Sequence, residues 1–173
     1  MIFKTTRLYT RKLQQADENL FYDMMSNSNV MSLIPQDVLN KEESNLKLRE
    51  LIELERSSET KIWALCINGS NEFIGIAGFL KNNENQDEIA YRIQEQYWGK
   101  GYGTETAKGL IDFGFHILNL ELITADVYIE NLKSTKILMK FMAKEKEFFN
   151  LADNCVDVRY FVKKDNWIQN DIR

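Results

Sequence analysis

Three glycines at alternate positions form the segment of this chain whose residue types and spacing most directly suggest chemistry. Gly99, Gly101 and Gly103 lie between a strand-like pattern over residues 88–93 and a helical pattern that follows at once. Glycine tolerates positive φ and lets the backbone approach a ligand closely. The start of a helix presents unpaired N–H groups and the positive end of its dipole to an anion. The segment therefore predicts a cradle for a phosphate group.

Two nucleotide-binding motifs are disfavoured by the order of residues in this loop. A P-loop requires Ser or Thr after its lysine, whereas Lys100 is followed by glycine. The dinucleotide motif requires a glycine where this chain has Thr104, and a hairpin rather than a strand–helix–strand unit precedes the loop. A tight turn without any ligand is the remaining alternative, although three glycines exceed what such a turn needs.

The elements around the loop predict a mixed α/β (α+β) domain built on one sheet. The apolar period changes from helical to alternating and back along the chain, and residues 63–80 are typical of a β-hairpin. The order is one strand, two helices, three strands, then helix, strand, helix and two strands. The strands are expected near residues 6–13, 63–67, 73–80, 88–93, 122–129, 147–150 and 156–163. The helices are expected from a cap at Asp17 to residues 27–29, and over residues 40–57, 103–118 and 132–144.

Composition limits the class of protein. With 173 residues, 44% of them hydrophobic and 28% charged, the chain is expected to form a single domain over residues 1–173. A net charge of −4 without a basic cluster argues against nucleic-acid binding. No apolar run approaches the roughly 20 residues that span a bilayer, so no membrane partner is expected.

Cysteine and histidine are scarce. Cys66 and Cys155 are too few for a disulfide framework, and the N-terminus lacks the apolar segment of a secretory signal, which together favour the cytoplasm. With His116 as the single histidine and no metal-ligand spacing, no metal site is expected.

At this point the chain resembles the GNAT superfamily of N-acetyltransferases, and within it the branch that acetylates the N-termini of ribosomal proteins. The similarity covers nearly the whole chain, with several motifs in the order and spacing of that branch. The matching segments are Thr5-Thr-Arg-Leu-Tyr-Thr-Arg11, Phe73-Ile-Gly-Ile-Ala-Gly78, Glu88-Ile-Ala-Tyr91, Tyr97-Trp-Gly-Lys-Gly-Tyr-Gly-Thr-Glu105 and Asn131-Leu-Lys-Ser134.

The resemblance implies a GNAT-like, mostly antiparallel sheet flanked by about four helices, with acetyl-CoA as the co-substrate. Backbone N–H groups of the loop are then expected to hold the CoA pyrophosphate, a backbone N–H within the strand Tyr91–Ile93 to stabilise the oxyanion, and Asn131 to bond the CoA arm. The resulting set of binding residues is Tyr91, Ile93, Trp98, Gly99, Lys100, Gly101, Tyr102, Gly103, Thr104 and Asn131.

Two side chains are candidates for proton transfer. Glu88 lies at the start of the strand that leads into the loop and is the candidate general base, with Asp87 as the spare; the alternative is an edge carboxylate paired with a basic neighbour. Many family members carry, at the position of Leu138, a tyrosine that acts as the general acid, whereas a leucine cannot donate a proton. By resemblance Ser134 is the alternative acid, although Asn131 and Ser134 also suit a plain helix start.

The predicted reaction is acetyl transfer to a primary amine by direct attack in a ternary complex. A protein α-amine, with a pKa of about 7.7–8.0, needs less help from a base than an alkylamine near 10.4. A small-molecule amine such as a polyamine, aminoglycoside or amino acid is the alternative acceptor, and a non-catalytic acyl-CoA-binding module is the alternative of another class. Some relatives dimerise, so a homodimer is one assembly that the resemblance allows.

Overall fold

A computed structural model describes residues 1–57 and 59–170 of the protein. Its seven strands form one sheet in the order β1-β2-β3-β4-β5-β7-β6, in which the one parallel pair of neighbours is β4 and β5. The strands are β1 Leu8–Lys12, β2 Lys61–Ile67, β3 Phe73–Lys81, β4 Asp87–Ile93, β5 Leu122–Tyr128, β6 Ala143–Asn150 and β7 Cys155–Lys163. The helices are α1 Glu18–Met25, α2 Ser28–Met31, α3 Lys41–Ser57, α4 Tyr102–His116, α5 Leu132–Leu138 and α6 Lys164–Asn170.

Two apolar clusters cover the opposite faces of the sheet. Because side chains alternate along a strand, Trp63 and Leu65 of β2 join the cluster under α4, whereas Ile62 and Ala64 join the cluster under α1 to α3. The central strands are therefore buried on both faces, and the helices fix which face each alternate residue occupies.

The sheet opens between β4 and β5. These strands pair at one position, Glu88 opposite Thr124, and then diverge. The hydroxyl of Thr124 donates to the carbonyl oxygen of Asp87 at 3.1 Å, which fastens the closed end of the opening. The β4–β5 opening is thus a V-shaped gap whose wide end faces the glycine loop.

The mixed α/β class and the mostly antiparallel sheet are confirmed, but the helix count and one boundary are wrong. The described residues form six helices rather than about four, because α2 and the C-terminal α6 were not predicted. The predicted helix over residues 132–144 ends at Leu138, and the chain from Ala143 onward pairs with β7 as strand β6. None of the helices within residues 1–57 and 59–170 is long and apolar enough to cross a membrane.

Candidate active site

The β4–β5 opening exposes backbone hydrogen-bonding groups of β4. The N–H of Gln94 donates to Ile74 of β3, and strand geometry alternates the direction of successive N–H groups. The N–H and C=O groups of Tyr91 and Ile93 therefore point away from β3 and into the opening, consistent with the indole of Trp98 donating to the Ile93 oxygen at 2.8 Å. The structure thus places the predicted backbone donors of Tyr91 and Ile93 in a gap where a ligand can reach them.

The glycine loop leads directly from this opening into α4. Gly99 and Gly101 have φ of +74° and +81°, and Gly101 is the N-cap of α4 without a side-chain cap. Among the described residues, no acceptor is found for the backbone N–H groups of residues 99–104, whereas the Glu105 N–H already bonds the Gly101 oxygen. Six consecutive free N–H groups at the positive end of a 15-residue helix form an anion cradle.

Cationic side chains surround this cradle. Lys100 lies over the Tyr97 ring, Lys133 lies 4.4 Å from the centre of the Trp98 ring, and Lys140 bonds the Thr104 hydroxyl at 3.3 Å. Lys133 also lines the cavity of about 660 Å³ that runs from the cradle into the β4–β5 opening. Free N–H groups, nearby ammonium groups and an adjoining gap fit a pyrophosphate with a long arm, which is the shape of acetyl-CoA.

One of the predicted binding residues, Trp98, departs from the expectation, and two others, Gly103 and Tyr102, make a packing contact in addition to presenting their N–H groups. The N–H of Trp98 is already bonded to the Glu95 oxygen at 3.0 Å, so the cradle begins at Gly99 and Trp98 contributes its ring to the wall. A Cβ on Gly103 would lie 2.9 Å from Ile137 Cδ1, so this glycine also permits α4 and α5 to pack closely. Tyr102 stacks its ring against the Arg7 guanidinium at 4.7 Å.

Asn131 acts as the N-cap of α5, the alternative left open by the sequence. Its side-chain oxygen accepts from the Ser134 N–H at 3.1 Å, and its amide donates to the Leu33 oxygen at 3.2 Å. The buried side chain also lines both cavities, so it anchors the segment after α2 to the edge of the site. Its direct bond to the CoA arm stays a prediction.

A second cavity of about 740 Å³ lies on the α1–α3 side of β4 and meets the first at Tyr91, Arg92, Asn131 and Ser134. Four carboxylates line it, namely Glu88, Asp126, Asp153 and Asp157. Burial and the nearby negative charge of Asp126 raise the pKa of Glu88 from 4.5 to about 8. A carboxylate with that pKa retains or releases a proton near neutral pH, as a general base requires.

A buried ion pair fixes the charge beside Glu88. The fully buried Arg159 guanidinium binds both oxygens of Asp126 at 2.7 Å, and it also contacts Glu84 at 2.9 Å. This bidentate geometry holds Asp126 in one position. The carboxylate next to Glu88 is therefore a rigid part of the site. None of the ion pairs between described residues involves Glu88, which argues against its alternative interpretation as an edge carboxylate paired with a basic neighbour.

Ser134 and the Tyr91 side chain meet at the junction of the two cavities. Burial raises the pKa of Tyr91 to about 12, with Ser134 opposing that shift, and the buried Tyr91 hydroxyl has no hydrogen bond of good geometry with the described residues. Leu138, at the position of the expected acid, is buried apolar wall. Two hydroxyl groups therefore lie where the two cavities meet.

The structure places Glu88 in the wall of one cavity and the cradle in the wall of the other, with Tyr91 and Ser134 lining both. Sequence reasoning assigned no role to Asp126, Arg92 or the Tyr91 hydroxyl. The strand alternation that placed Glu88 also places Arg92 on the same face, and this signal was available. Asp126 carried no signal because its position depends on the pairing of β5 with β7.

Comparison with known proteins agrees with this geometry. Residues 7–143 match the family model of the acetyltransferase (GNAT) domain. An uncharacterised N-acetyltransferase p20 of Bacillus licheniformis is 30% identical over 139 residues, which cover 78% of this chain and 77% of that protein. The uncharacterised N-acetyltransferase YnaD of Bacillus subtilis (strain 168) is 27% identical over 150 residues, 86% of each chain.

Solved structures share the fold. A GNAT-family acetyltransferase from Bacillus anthracis superposes with a TM-score of 0.83 at 24% identity, over 95% of this chain and 99% of that one. RimL, a ribosomal alpha-N-protein acetyltransferase in complex with coenzyme A, gives 0.79 at 17% identity, over 95% and 98%. A chimera of the spermidine N-acetyltransferase SpeG from Vibrio cholerae and hSSAT gives 0.76 at 19%, over 94% and 99%. With a family model that spans residues 7–143, the chain belongs to the GNAT family and is an N-acetyltransferase.

Proposed function

We propose that the protein transfers the acetyl group of acetyl-CoA to a primary amine that enters through the larger cavity, by direct attack in a ternary complex. The observation that carries this proposal is that Tyr91 and Ser134 line both cavities, one of which contains the anion cradle and the other Glu88. Acetyl-CoA, when bound, supplies an acetyl thioester and a thiolate leaving group.

Each polar group has one task in this proposal. Glu88 accepts a proton from the amine, directly or through water. The Tyr91 N–H, aimed into the opening, donates to the oxygen on which negative charge develops, and a preorganised donor of this kind contributes about 2.7–4 kcal/mol in other enzymes. Ser134, with the Tyr91 hydroxyl beside it, supplies a hydrogen bond or proton to the thiolate.

A protein or peptide α-amine is our first proposal for the acceptor. The pKa of Glu88, about 8, lies in the same range as that of an α-amine, about 7.7–8.0. Proton transfer between the two groups is then nearly balanced in free energy. The sequence resemblance to the ribosomal N-terminal branch supports the same class of acceptor.

A small polycationic amine is the second candidate because of the charge of the cavity. Carboxylates line the acceptor space, Asp153 and Asp157 among them, and such a lining attracts and concentrates cations. The structural neighbours include enzymes whose names state each acceptor class, a ribosomal α-amine and spermidine. Their similar TM-scores do not separate the two candidates.

An acceptor screen tests the proposal. Release of CoA is measured with N-terminal peptides, spermidine and amino acids at equal concentration, for the natural protein and for Glu88→Gln and Ser134→Ala. We expect turnover with at least one peptide and a loss of about 10²–10⁴-fold for Glu88→Gln, the contribution of a positioned base. Absence of turnover with every amine would overturn the proposal.

Binding of acetyl-CoA is tested separately by thermal unfolding. A ligand at 100 times its Kd stabilises the folded state by about 2.7 kcal/mol, which corresponds to roughly 5–10 °C for a domain of this length. No shift at saturating acetyl-CoA would remove the co-substrate from the proposal.

A further inference from the structure

Arg92 lines the acceptor cavity and has no anionic partner among the described residues. It lies on the same face of β4 as Glu88, and its Nη1 contacts the thioether sulfurs of Met25 at 2.9 Å and Met31 at 3.3 Å. Thioethers are weak acceptors, and a guanidinium has five N–H donors to satisfy. Among the described residues, no carboxylate oxygen lies within ion-pair distance of this side chain.

Other enclosed arginines of the chain are paired differently. Arg11 binds both oxygens of Asp17 at 2.7 and 2.8 Å, and Arg159 binds both oxygens of Asp126 at 2.7 Å. Burial correspondingly lowers the pKa of Arg92 to about 10. Enclosing this guanidinium costs solvation free energy that no ion pair with the described residues offsets. Such a cation at the junction of the two cavities is typical of a binding site rather than of a structural ion pair.

The surrounding charges leave this position free for a ligand. Asp153 acts on Arg92 from a distance, and its oxygens accept from Gln36 at 3.1 Å and Asn150 at 3.1 Å. Lys47, another cation on the cavity wall, is already bonded to Glu50 at 3.0 Å. The cavity therefore has, near its junction with the other cavity, a cation without an ion-pair partner among the described residues, whereas Asp126 and Asp157 lie near Glu88.

The spacing along β4 sets the size of a ligand that reaches both groups. Glu88 and Arg92 are four residues apart, about 13 Å between their Cα atoms at 3.3 Å per residue. Ala90 lies between them on the same face, and its small side chain leaves room for a ligand.

We propose that Arg92 binds a carboxylate of the acceptor, so that the acceptor is a primary amine with a carboxylate several bonds from the reacting nitrogen. This inference rests on the proposed acetyl transfer and narrows its substrate class. An acidic side chain near a peptide N-terminus and a small ω-amino acid both provide this chemistry. A polyamine does not, because its distal cations would meet Arg92.

Two matched pairs of acceptors test the inference. Peptides beginning Ser-Glu and Ser-Gln differ only in one carboxylate, as do 5-aminopentanoate and 5-aminopentanamide. We expect kcat/KM to be about ten-fold or more higher for the acid in at least one pair, the size of one charge-assisted hydrogen bond. The pair that responds identifies a peptide or a small molecule as the source of the carboxylate, and equal rates within both pairs would overturn the inference.

Two variants separate binding from packing. Arg92→Gln should reduce the acid-to-amide ratio to about one without lowering the melting temperature, whereas Lys47→Gln should leave the ratio unchanged. If Arg92 instead pairs with Asp153, Arg92→Gln and Asp153→Asn will both lower the melting temperature and leave the ratio intact, which would refute the inference.

Calorimetry keeps the inference independent of turnover. The same acid and amide pairs are titrated into protein saturated with CoA, where tighter binding of an acid supports a role for Arg92 even if no acetyl transfer is seen. Turnover without any acid preference leaves the proposed function standing and removes only the inference.

Discussion

The raised pKa of Glu88 makes a prediction about stability that does not depend on any substrate. Burial and the charge of Asp126 raise this pKa from 4.5 to about 8. Between those two pH values the folded protein holds a proton on Glu88 that the unfolded chain has released. Folding stability therefore falls as pH rises through this range, since stability falls with pH wherever the folded state binds more protons. Glu88→Gln removes the titration and keeps a neutral side chain of similar size.

The magnitude follows from the two pKa values. Each factor of ten in proton affinity corresponds to about 1.36 kcal/mol. The loss of folding free energy caused by Glu88 therefore grows by about 1.4 kcal/mol per pH unit above pH 4.5. It reaches roughly 5 kcal/mol above pH 8, where Glu88 is ionised in both states. We expect the stability of Glu88→Gln to exceed that of the natural protein by about 1 kcal/mol or less at pH 5 and by roughly 3 kcal/mol at pH 7.

Urea unfolding at pH 5, 7 and 9 measures this difference. With a slope of about 1–3 kcal/mol per molar urea, the urea midpoint of Glu88→Gln at pH 9 should lie at least about 1 M above that of the natural protein at the same pH. Glu105→Gln is the matched control. Burial raises the pKa of Glu105, but hydrogen bonds from Thr5 and Arg7 together lower it by more, so that this pKa lies below its ordinary value. That variant should lose stability by a constant amount between pH 5 and 9.

A Glu88→Gln difference that stays constant from pH 5 to 9 would refute the reasoning. It would mean that Glu88 is ionised with an ordinary pKa, and the match between its pKa and that of an α-amine would disappear. The result is informative even for a protein without a known acceptor, because only the folded and unfolded states are compared.

Two further changes test the cradle and the proton source. Gly99→Ala and Gly69→Ala both place a side chain at positive φ in open space, so each should lower folding stability by about 1–2 kcal/mol. We expect only Gly99→Ala to weaken acetyl-CoA binding, by about ten-fold in calorimetry. Equal affinities for the two variants would exclude the cradle. Tyr91→Phe should leave the melting temperature unchanged, since the hydroxyl has no partner of good geometry, and should lower kcat without changing the KM for acetyl-CoA; an unaltered kcat would leave Ser134 as the remaining proton source.

Local patterns predicted the parts of the fold that local physics determines. The hairpin of β2 and β3, the helix α3 and the loop before α4 each carry a period or a glycine spacing that has one good structural solution. The end of α5 was predicted wrongly because Ala143 and the four charged residues 144–147 are good helix formers, and residues 143–150 lack the apolar alternation of a strand. Pairing with β7 decided the outcome, and no short window of sequence contains that information.

The C-terminal helix α6 was missed for a similar reason. Its short segment has little helical pattern, but Trp167 donates to Asp112 of α4 at 2.8 Å and packs against Phe115 and Phe141. Tertiary contact therefore stabilises a helix that the isolated sequence would not predict.

The chemistry of the site likewise has one part that local sequence determines and one part that depends on long-range contacts. The cradle is a property of one continuous segment and was predictable, whereas the raised pKa of Glu88 depends on burial by the folded chain and then on carboxylates of β5 and β7. The identity of the co-substrate accordingly follows from sequence more readily than the ionisation of the base or the class of the acceptor.

One geometric feature of β4 connects both halves of the proposed reaction. Alternation directs the N–H groups of Tyr91 and Ile93 into the β4–β5 opening, and it directs the side chains of Glu88 and Arg92 to the opposite, acceptor face. Had β5 paired with β4 along its whole length, those N–H groups would be bonded within the sheet and no donor would remain for a developing oxyanion. Pairing at Glu88 and Thr124 alone keeps the strands in register while leaving the donors free. In the proposed reaction, the divergence of these two strands lets a thioester and an amine meet at one strand from its two sides.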